Sequence, residues 1–121
     1  ETDIYVRMGA HTLIHKRTED DIWKNLFELP LVETEKDLSE EEFLACPQFH
    51  ALFAEGEVRM VRTLLRGVKH VLSHRVIYTN FYEVTLPDNS SSFSSYQRVA
   101  VEDLGRYAVP RLIHAFLEKY V

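Results

Sequence analysis

The run from Val76 to Leu86 restricts the fold of this chain more than any other segment. It is dense in β-branched and aromatic residues, which favour the pleated and partly buried backbone of a sheet. A Pro-Asp-Asn turn signal at 87–89 ends it. Because an isolated strand of this kind is unstable in water, the rest of the chain must supply further strands and an apolar cover.

Several other segments fit extended backbone. Apolar residues alternate with polar ones over 4–8, which is the period of a half-buried strand, and strands are also expected over 11–16 and 96–101. The segment 58–65 is ambiguous, since its arginines would share one face of a helix. Its β-branched residues favour extended chain, and we therefore predict a strand there.

Helices are predicted over 40–46, 48–54 and 110–119. Ser39 followed three residues later by Glu42 is a capping box, and Pro47 ends the helix that it starts. Pro110 suits the first position of the last helix. Short helices among several strands, without a strand–helix–strand rhythm, predict an α+β domain with a mixed sheet.

Size and composition narrow the class of protein. A chain of 121 residues with 45% hydrophobic residues fits one globular domain. The single Cys46 excludes an internal disulfide and a cysteine-based zinc or iron–sulfur site. No apolar run approaches the roughly 20 residues of a membrane span, so we expect no membrane partner and a reducing compartment.

Charge is unevenly distributed along the chain. The formal net charge of −5 argues against a protein that binds nucleic acid with its whole surface. Acidic residues crowd 33–42 and basic residues crowd 59–75. The basic segment could form a local anion-binding patch, or the two segments could be solvated faces of opposite sign.

The tract Lys69-His70-Val71-Leu72-Ser73-His74-Arg75 combines a hydroxyl, two imidazoles and two cations with an aliphatic side chain. That mixture suits a flat polar ligand with an anionic backbone, such as a nucleotide in DNA. A hydrolytic pair of Ser73 and His74 is disfavoured, because adjacent residues of an extended strand point to opposite faces. His70 and His74 would share a metal ion only on a helix, so no metal site is predicted.

Three blocks of the sequence occur in an order that is typical of one protein family. They are Arg17 with Ile22-Trp23 and Leu26-Phe27-Glu28-Leu29-Pro30, then Lys69 to His74, then Tyr107-Ala108-Val109-Pro110 before a helix. They resemble the arginine and LW–GLW–FP block, the histidine-x-phenylalanine-serine-histidine loop and the alanine-(aromatic or leucine)-proline close of the C-terminal domain of MutY-type adenine DNA glycosylases. The resemblance spans about 12–117.

The resemblance implies a Nudix-like fold and a role in DNA repair. The family's domain recognises 8-oxoguanine mispaired with adenine in duplex DNA, while a separate N-terminal domain with a 4Fe–4S cluster removes the adenine. Residues 1–121 are then a single lesion-recognition domain, the C-terminal fragment of a longer glycosylase. The resemblance implies no catalytic residue and no cofactor in this chain, the N-terminal catalytic domain as a partner, and a place in the bacterial cytoplasm at the nucleoid.

The site residues follow from the second block. By resemblance, Leu72, Ser73 and His74 approach the oxidised guanine, with Leu72 in place of the family's phenylalanine as an aliphatic wedge. Predicted phosphate contacts are Arg66, Lys69, His70 and Arg75.

Two further predictions concern the first block. Asp21, Lys24 and Asn25 replace family glycines, which predicts a different path for that turn. Trp23, Phe27 and Leu29 are expected to belong to the core and not to a base-stacking platform.

Two other functions stay open at this point. A Nudix hydrolase of nucleoside diphosphate derivatives needs an arginine-glutamate-x-x-glutamate-glutamate site for Mg²⁺, and the acidic run over 33–42 lacks that spacing. A protein-interaction module would use the same acidic run or the basic segment.

Overall fold

Seven β-strands form two sheets, and three α-helices with one 3₁₀-helix cover them. The computed structural model describes residues 1–121. The strands are β1 (Thr2–Arg7), β2 (His11–Lys16), β3 (Phe27–Glu28), β4 (Leu31–Val32), β5 (Met60–Val71), β6 (Val76–Thr85) and β7 (Gln97–Ala100). The helices are α1 (Glu40–Ala45), α2 (Pro47–Leu52), the 3₁₀-helix (Val101–Arg106) and α3 (Arg111–Tyr120).

The first sheet has the order β4-β1-β6-β5, and the second has the order β3-β2-β7. Strand β1 runs parallel to β6, while the other neighbours are antiparallel. The predicted α+β class with a mixed sheet is therefore confirmed. No helix is both long and apolar enough to cross a membrane.

The predicted elements are present with small shifts at their ends. The ambiguous segment 58–65 is a strand, and β5 continues to Val71 because two register shifts let the strand stay paired with β6. The capping box is formed, with the Glu42 N–H donating to Ser39 Oγ at 3.1 Å and the Ser39 N–H donating to Glu42 Oε1 at 3.0 Å. Pro110 lies one residue before the first residue of α3.

Strand β1 is the central element of the fold. We expected it to be half-buried, but that prediction is wrong, since apolar clusters cover both of its faces. Ile4 and Val6 pack in one cluster with Phe43 of α1. Tyr5 packs in the other with Phe116 of α3. The second cluster places α3 beside the face of β1 that also carries Asp3.

Candidate functional site

A two-residue turn joins β5 to β6. Val71 pairs with Val76, the Leu72 N–H donates to the Arg75 carbonyl at 2.8 Å, and Ser73 and His74 are the two turn residues. Both turn side chains are exposed. Residues 72–75, called the tip below, therefore present a hydroxyl and an imidazole to solvent.

The two turn side chains contact each other. Ser73 Oγ lies 3.0 Å from His74 Nδ1, which is a hydrogen-bond distance. The expectation that these side chains point to opposite faces is wrong, because they lie in a turn and not in a strand. No carboxylate contacts His74, so the pair lacks the third group of a hydrolytic triad.

The predicted phosphate contacts occupy three different settings. Lys69 and Arg75 are exposed and make no ion pair within the chain, while His70 is half-buried below the tip. Arg66 lies further along β5, where its guanidinium donates to the Tyr82 hydroxyl and, at 2.7 Å, to the Leu38 carbonyl. Only the first two cations are free near the tip, and a phosphate contact by any of the four stays a prediction.

A cleft of about 460 Å³ opens beside the tip. Its first wall is formed by His70 with Leu72, His74 and Arg75 of the tip, its second by the loop that follows β2, and its third by the start of α3 from Pro110. Each wall contains residues of one of the three sequence blocks that resemble the glycosylase domain. The fold thus brings together at one cleft segments that are far apart in the sequence.

The second wall is held by Arg17 and three carboxylates, here called the Arg17 corner. The guanidinium donates to Asp21 at 2.7 Å, to Glu19 at 2.9 Å and to Glu28 at 3.0 Å. It also lies 5.8 Å from the ring centroid of Trp23. Hydrogen bonding by Arg17 holds the pKa of Asp21 below its usual value. With its donors occupied, Arg17 closes the loop and is not available to a phosphate.

One of the three residues that replace family glycines has an unusual backbone conformation. Asn25 has φ of 72°, a left-handed conformation that glycine and asparagine tolerate best. The Asn25 N–H also donates to the Arg17 carbonyl at 2.9 Å. The backbone there keeps a conformation that glycine adopts readily.

The aromatic and aliphatic residues of the first block divide between core and cleft. Leu29 is buried in the second cluster, as predicted, and Phe27 packs at the margin of that cluster. Trp23 is half-buried and lines the cleft, so the prediction that it belongs to the core is wrong. Leu72 is likewise half-buried and lines the cleft from the opposite wall.

One residue of the cleft was missed by sequence reasoning. Asp3 lies at the floor with only 4% of its surface exposed. Burial raises the pKa of this carboxyl well above its usual value, and the neighbouring Glu1 and Glu28 raise it further. Asp3 shares a face of β1 with Tyr5. It was missed because the alternation along β1 predicts that this face meets solvent.

The acidic segment over 33–42 does not form a compact carboxylate group. The chain contains no cluster of three or more His, Cys, Asp or Glu side chains arranged to hold a metal ion. Glu42 instead caps α1, and its hydrogen bonds from Ser39 lower its pKa.

Comparison with known proteins gives one finding at the level of the family. The family model of the NUDIX domain matches residues 4–119, and this fold family includes the C-terminal domain of MutY. No curated protein matches the chain. The matched region includes all three walls of the cleft and nearly every strand and helix. The chain therefore belongs to the Nudix domain family.

Proposed function

We propose that this domain recognises 8-oxoguanine opposite adenine in duplex DNA, as the lesion-reading part of an adenine DNA glycosylase. The observation that carries the proposal is the tip, where the Ser73 hydroxyl is exposed and the free cations Lys69 and Arg75 lie on the two chain segments that flank the turn. The other two blocks that resemble the glycosylase domain line the adjoining cleft.

The chemistry of the lesion suits the contact between Ser73 and His74. Ordinary guanine offers only acceptors, N7 and O6, on its major-groove edge. Oxidation at C8 converts N7 into a donor. When the Ser73 hydroxyl donates to His74 Nδ1, its oxygen lone pairs remain to accept from that N–H. The same oxygen would face a lone pair on undamaged N7, so the contact would favour the lesion.

The charges around the tip suit a local contact with DNA. Lys69 and Arg75 can each approach a phosphate, which would position the duplex without specifying its sequence. Acidic residues over 33–42 would repel phosphate elsewhere on the domain. We therefore infer a small interface centred on the tip, with affinity that depends on salt.

Leu72 does not act as a fully exposed wedge in this proposal. Its side chain is half-buried against the cleft, and its N–H fixes the turn by donating to the Arg75 carbonyl. It supports Ser73 from below, and it reaches a base only at the margin of the cleft.

The remaining parts of the proposal lie outside this chain. Removal of the adenine would belong to a separate N-terminal domain that carries the 4Fe–4S cluster and joins this domain in one polypeptide. The whole would act on the bacterial nucleoid in the cytoplasm.

The test is binding of the chain to duplexes that differ only in the lesion. Fluorescence anisotropy with 8-oxoguanine opposite adenine and with guanine opposite adenine, at matched salt, gives the preference directly. Replacing Ser73 with Ala should lower that preference about tenfold, the worth of one lost hydrogen bond to a buried base. Ser94→Ala, at another exposed serine, is the matched control. Equal affinity of the unsubstituted chain for both duplexes would refute the proposal.

A second candidate is favoured by the family match itself. Nudix domains include hydrolases of nucleoside diphosphate derivatives, although this sequence lacks the expected carboxylate spacing for Mg²⁺. Release of phosphate or pyrophosphate from nucleoside triphosphates with Mg²⁺ would favour that candidate. If the chain shows neither a preference for the lesion nor hydrolysis, the protein-interaction module is the remaining candidate.

A further inference from the structure

The end of the β5–β6 hairpin has two faces, and only one of them lines the cleft. His70 and Ile77 pair across the two strands and line the cleft. Because strand side chains alternate, the cross-strand pairs on either side of them point to the opposite side of the sheet. These residues, called the outer face below, are Lys69 with Tyr78 and Val71 with Val76.

Three of the four residues of the outer face are apolar and open to solvent. Val71 is 65% exposed, Tyr78 58% and Val76 45%. Neighbouring residues across an antiparallel pair lie about 5 Å apart, so these side chains form one patch and are not scattered singly. Exposed apolar side chains that are contiguous indicate a surface that another molecule covers.

The same side of β6 is covered further along the strand. There Tyr82 stacks on Phe43 of α1, with ring centroids 4.9 Å apart. Asn80, between Tyr82 and the outer face, donates to Asp37 at 2.9 Å. Towards the turn this cover stops, as the exposure of Tyr78 shows. The outer face therefore continues the sheet surface without its covering layer.

The hairpin also has a free backbone edge, because β5 pairs only with β6. Leu72 and Arg75 are hydrogen-bonded across the turn, so the next pair along the ladder is not. The N–H and C=O groups of Val71 and, two residues away, of Lys69 therefore point away from β6. The Tyr78 carbonyl fits this alternation, since it points away from β5 and accepts from the N-terminal ammonium group at 3.2 Å.

Unpaired edge groups of this kind can accept a further strand. Two register shifts interrupt β5, between Thr63 and Leu65 and between Leu65 and Val68. The regular part of the edge therefore runs over 68–71. It offers backbone contacts to a short extended segment beside the apolar patch.

The charges of β5 restrict which strand fits there. The strand contains Arg62, Arg66 and Lys69 and no Asp or Glu. Arg62 is bound to Glu83 at 3.1 Å and Arg66 lies 3.6 Å from Asp37, whereas Lys69 has no ion pair. An antiparallel second copy of β5 would place like charges side by side, which is destabilising. An acidic strand would instead bring a carboxylate to Lys69.

Nucleic acid suits the outer face less well than such a strand. Lys69 is its one cation, and the other three side chains are neutral and apolar. Asp37, whose side chain is 74% exposed, adds a negative charge near the base of the face. Binding to DNA depends on several cations that contact phosphates.

We propose that the outer face and the edge over 68–71 bind an extended acidic segment of a partner protein, which adds a strand to β5. A carboxylate of the segment meets Lys69, and an apolar side chain two residues away packs on Val71. This inference does not depend on lesion recognition, because it uses the side of the hairpin that faces away from the cleft.

A synthetic peptide provides the test. The blocked peptide Ser-Glu-Thr-Val-Thr-Glu-Ser presents the same pattern in either strand direction. Titration into the chain, followed by heteronuclear NMR, should give saturable shifts at the outer face. Amide exchange of Lys69 and Val71 should slow, because their outward N–H groups become hydrogen-bonded. The same peptide with Lys in place of both Glu is the control and should bind at least about tenfold more weakly.

Two substitutions assign the binding to this edge. Val71→Pro removes an outward N–H and no bond to β6, so peptide binding should fall about tenfold or more. Val76→Pro is the matched control, because that N–H points away from β5, and it should bind within about threefold of the unsubstituted chain. Lys69→Glu should reverse the preference between the two peptides. If Val71→Pro does not fold, the reversal in Lys69→Glu still decides.

The outcomes separate this inference from the proposed function. Ser73→Ala should leave peptide binding unchanged, and Tyr78→Ser should weaken it while the preference for the lesion duplex stays the same. Absence of shifts at the outer face, or equal binding of the two peptides, would overturn the inference.

Two further results would assign the surface to another occupant and overturn the inference as well. Slower amide exchange of Val71 at high protein concentration without peptide would indicate a second copy of the chain. Loss of affinity for the undamaged duplex in Tyr78→Ser would indicate nucleic acid.

Discussion

The two facing walls of the cleft both come from sequence that resembles one family, yet they are built in opposite ways. In the Arg17 corner, one guanidinium is occupied by three carboxylates of its own chain. At the tip and beside it, the Arg75 and Lys69 side chains form no ion pair, and the Ser73 hydroxyl contacts only His74. The charged residues of the Arg17 corner therefore hold the shape of the cleft, whereas Lys69 and Arg75 remain free to bind a ligand.

The largest expected effect concerns the Arg17 corner, which holds the shape of the cleft. Replacing Arg17 with Met should lower the free energy of unfolding by about 2–3 kcal/mol, because Glu28, which is largely buried, would lose one of its two partners and keep only His15. Arg17 has only 17% of its side chain exposed, which limits compensation by water. Urea denaturation measures the change. Arg75→Met is the control and should stay within about 0.5 kcal/mol, and equal losses in both variants would erase the distinction.

The next effect tests the free cations of the tip. Changing Lys69 and Arg75 together to Gln should weaken DNA binding by about 1–2 kcal/mol at low salt and reduce the slope of log K against log salt by roughly 2. The loss should be the same for damaged and undamaged duplexes, because phosphate contacts carry no base information. Anisotropy over a salt series measures both quantities. A selective loss for the lesion duplex would show that these cations contact the base.

Asp3 and Asp21 should give stability profiles of opposite sign. The pKa of Asp3 is raised by burial, so its contribution is fully present below the unfolded value of about 4 and is lost as pH rises through the folded value. The pKa of Asp21 is lowered by Arg17, so its contribution is lost as pH falls through the folded value. Asp3→Asn should therefore be more stable than the unsubstituted chain at neutral pH, with the difference vanishing in acid. Urea denaturation at several pH values checks this, and a constant difference would contradict it.

The smallest expected effect concerns Glu19, the most exposed carboxylate of the Arg17 corner. Glu19 is 74% exposed, and its ion pair with Arg17 is screened by water. Glu19→Gln should change the free energy of unfolding by less than about 0.5 kcal/mol. Thermal and urea denaturation would detect a larger loss, which would mean that the outermost carboxylate also holds the loop.

Local signals in the sequence predicted the elements well where backbone chemistry decides. The β-branched run that became β6, the capping box at Ser39 and the proline before α3 each act within a few residues. The short strands β3 and β4 escaped notice because two-residue strands depend on their partners β2 and β1 and not on their own propensity.

The cleft was harder to predict, for reasons that lie in tertiary structure. Alternation along β1 indicated an apolar face and a solvated one, but α3 covers the second face and leaves Asp3 buried. The contact between Ser73 and His74 depended on a turn of two residues, which a strand-based argument could not show. The resemblance grouped three blocks in the sequence, and only the fold showed that they meet.

The parallel pairing of β1 with β6 has a consequence for how the domain forms. Thr2 pairs with Asn80, so the central strand leaves the ribosome long before its neighbour exists. Until β6 is synthesised, β1 lacks its parallel neighbour and the Phe81 and Tyr82 side chains that help to cover its two faces. Contacts of such long range form slowly. We expect nascent chains stalled before β6 to need a chaperone.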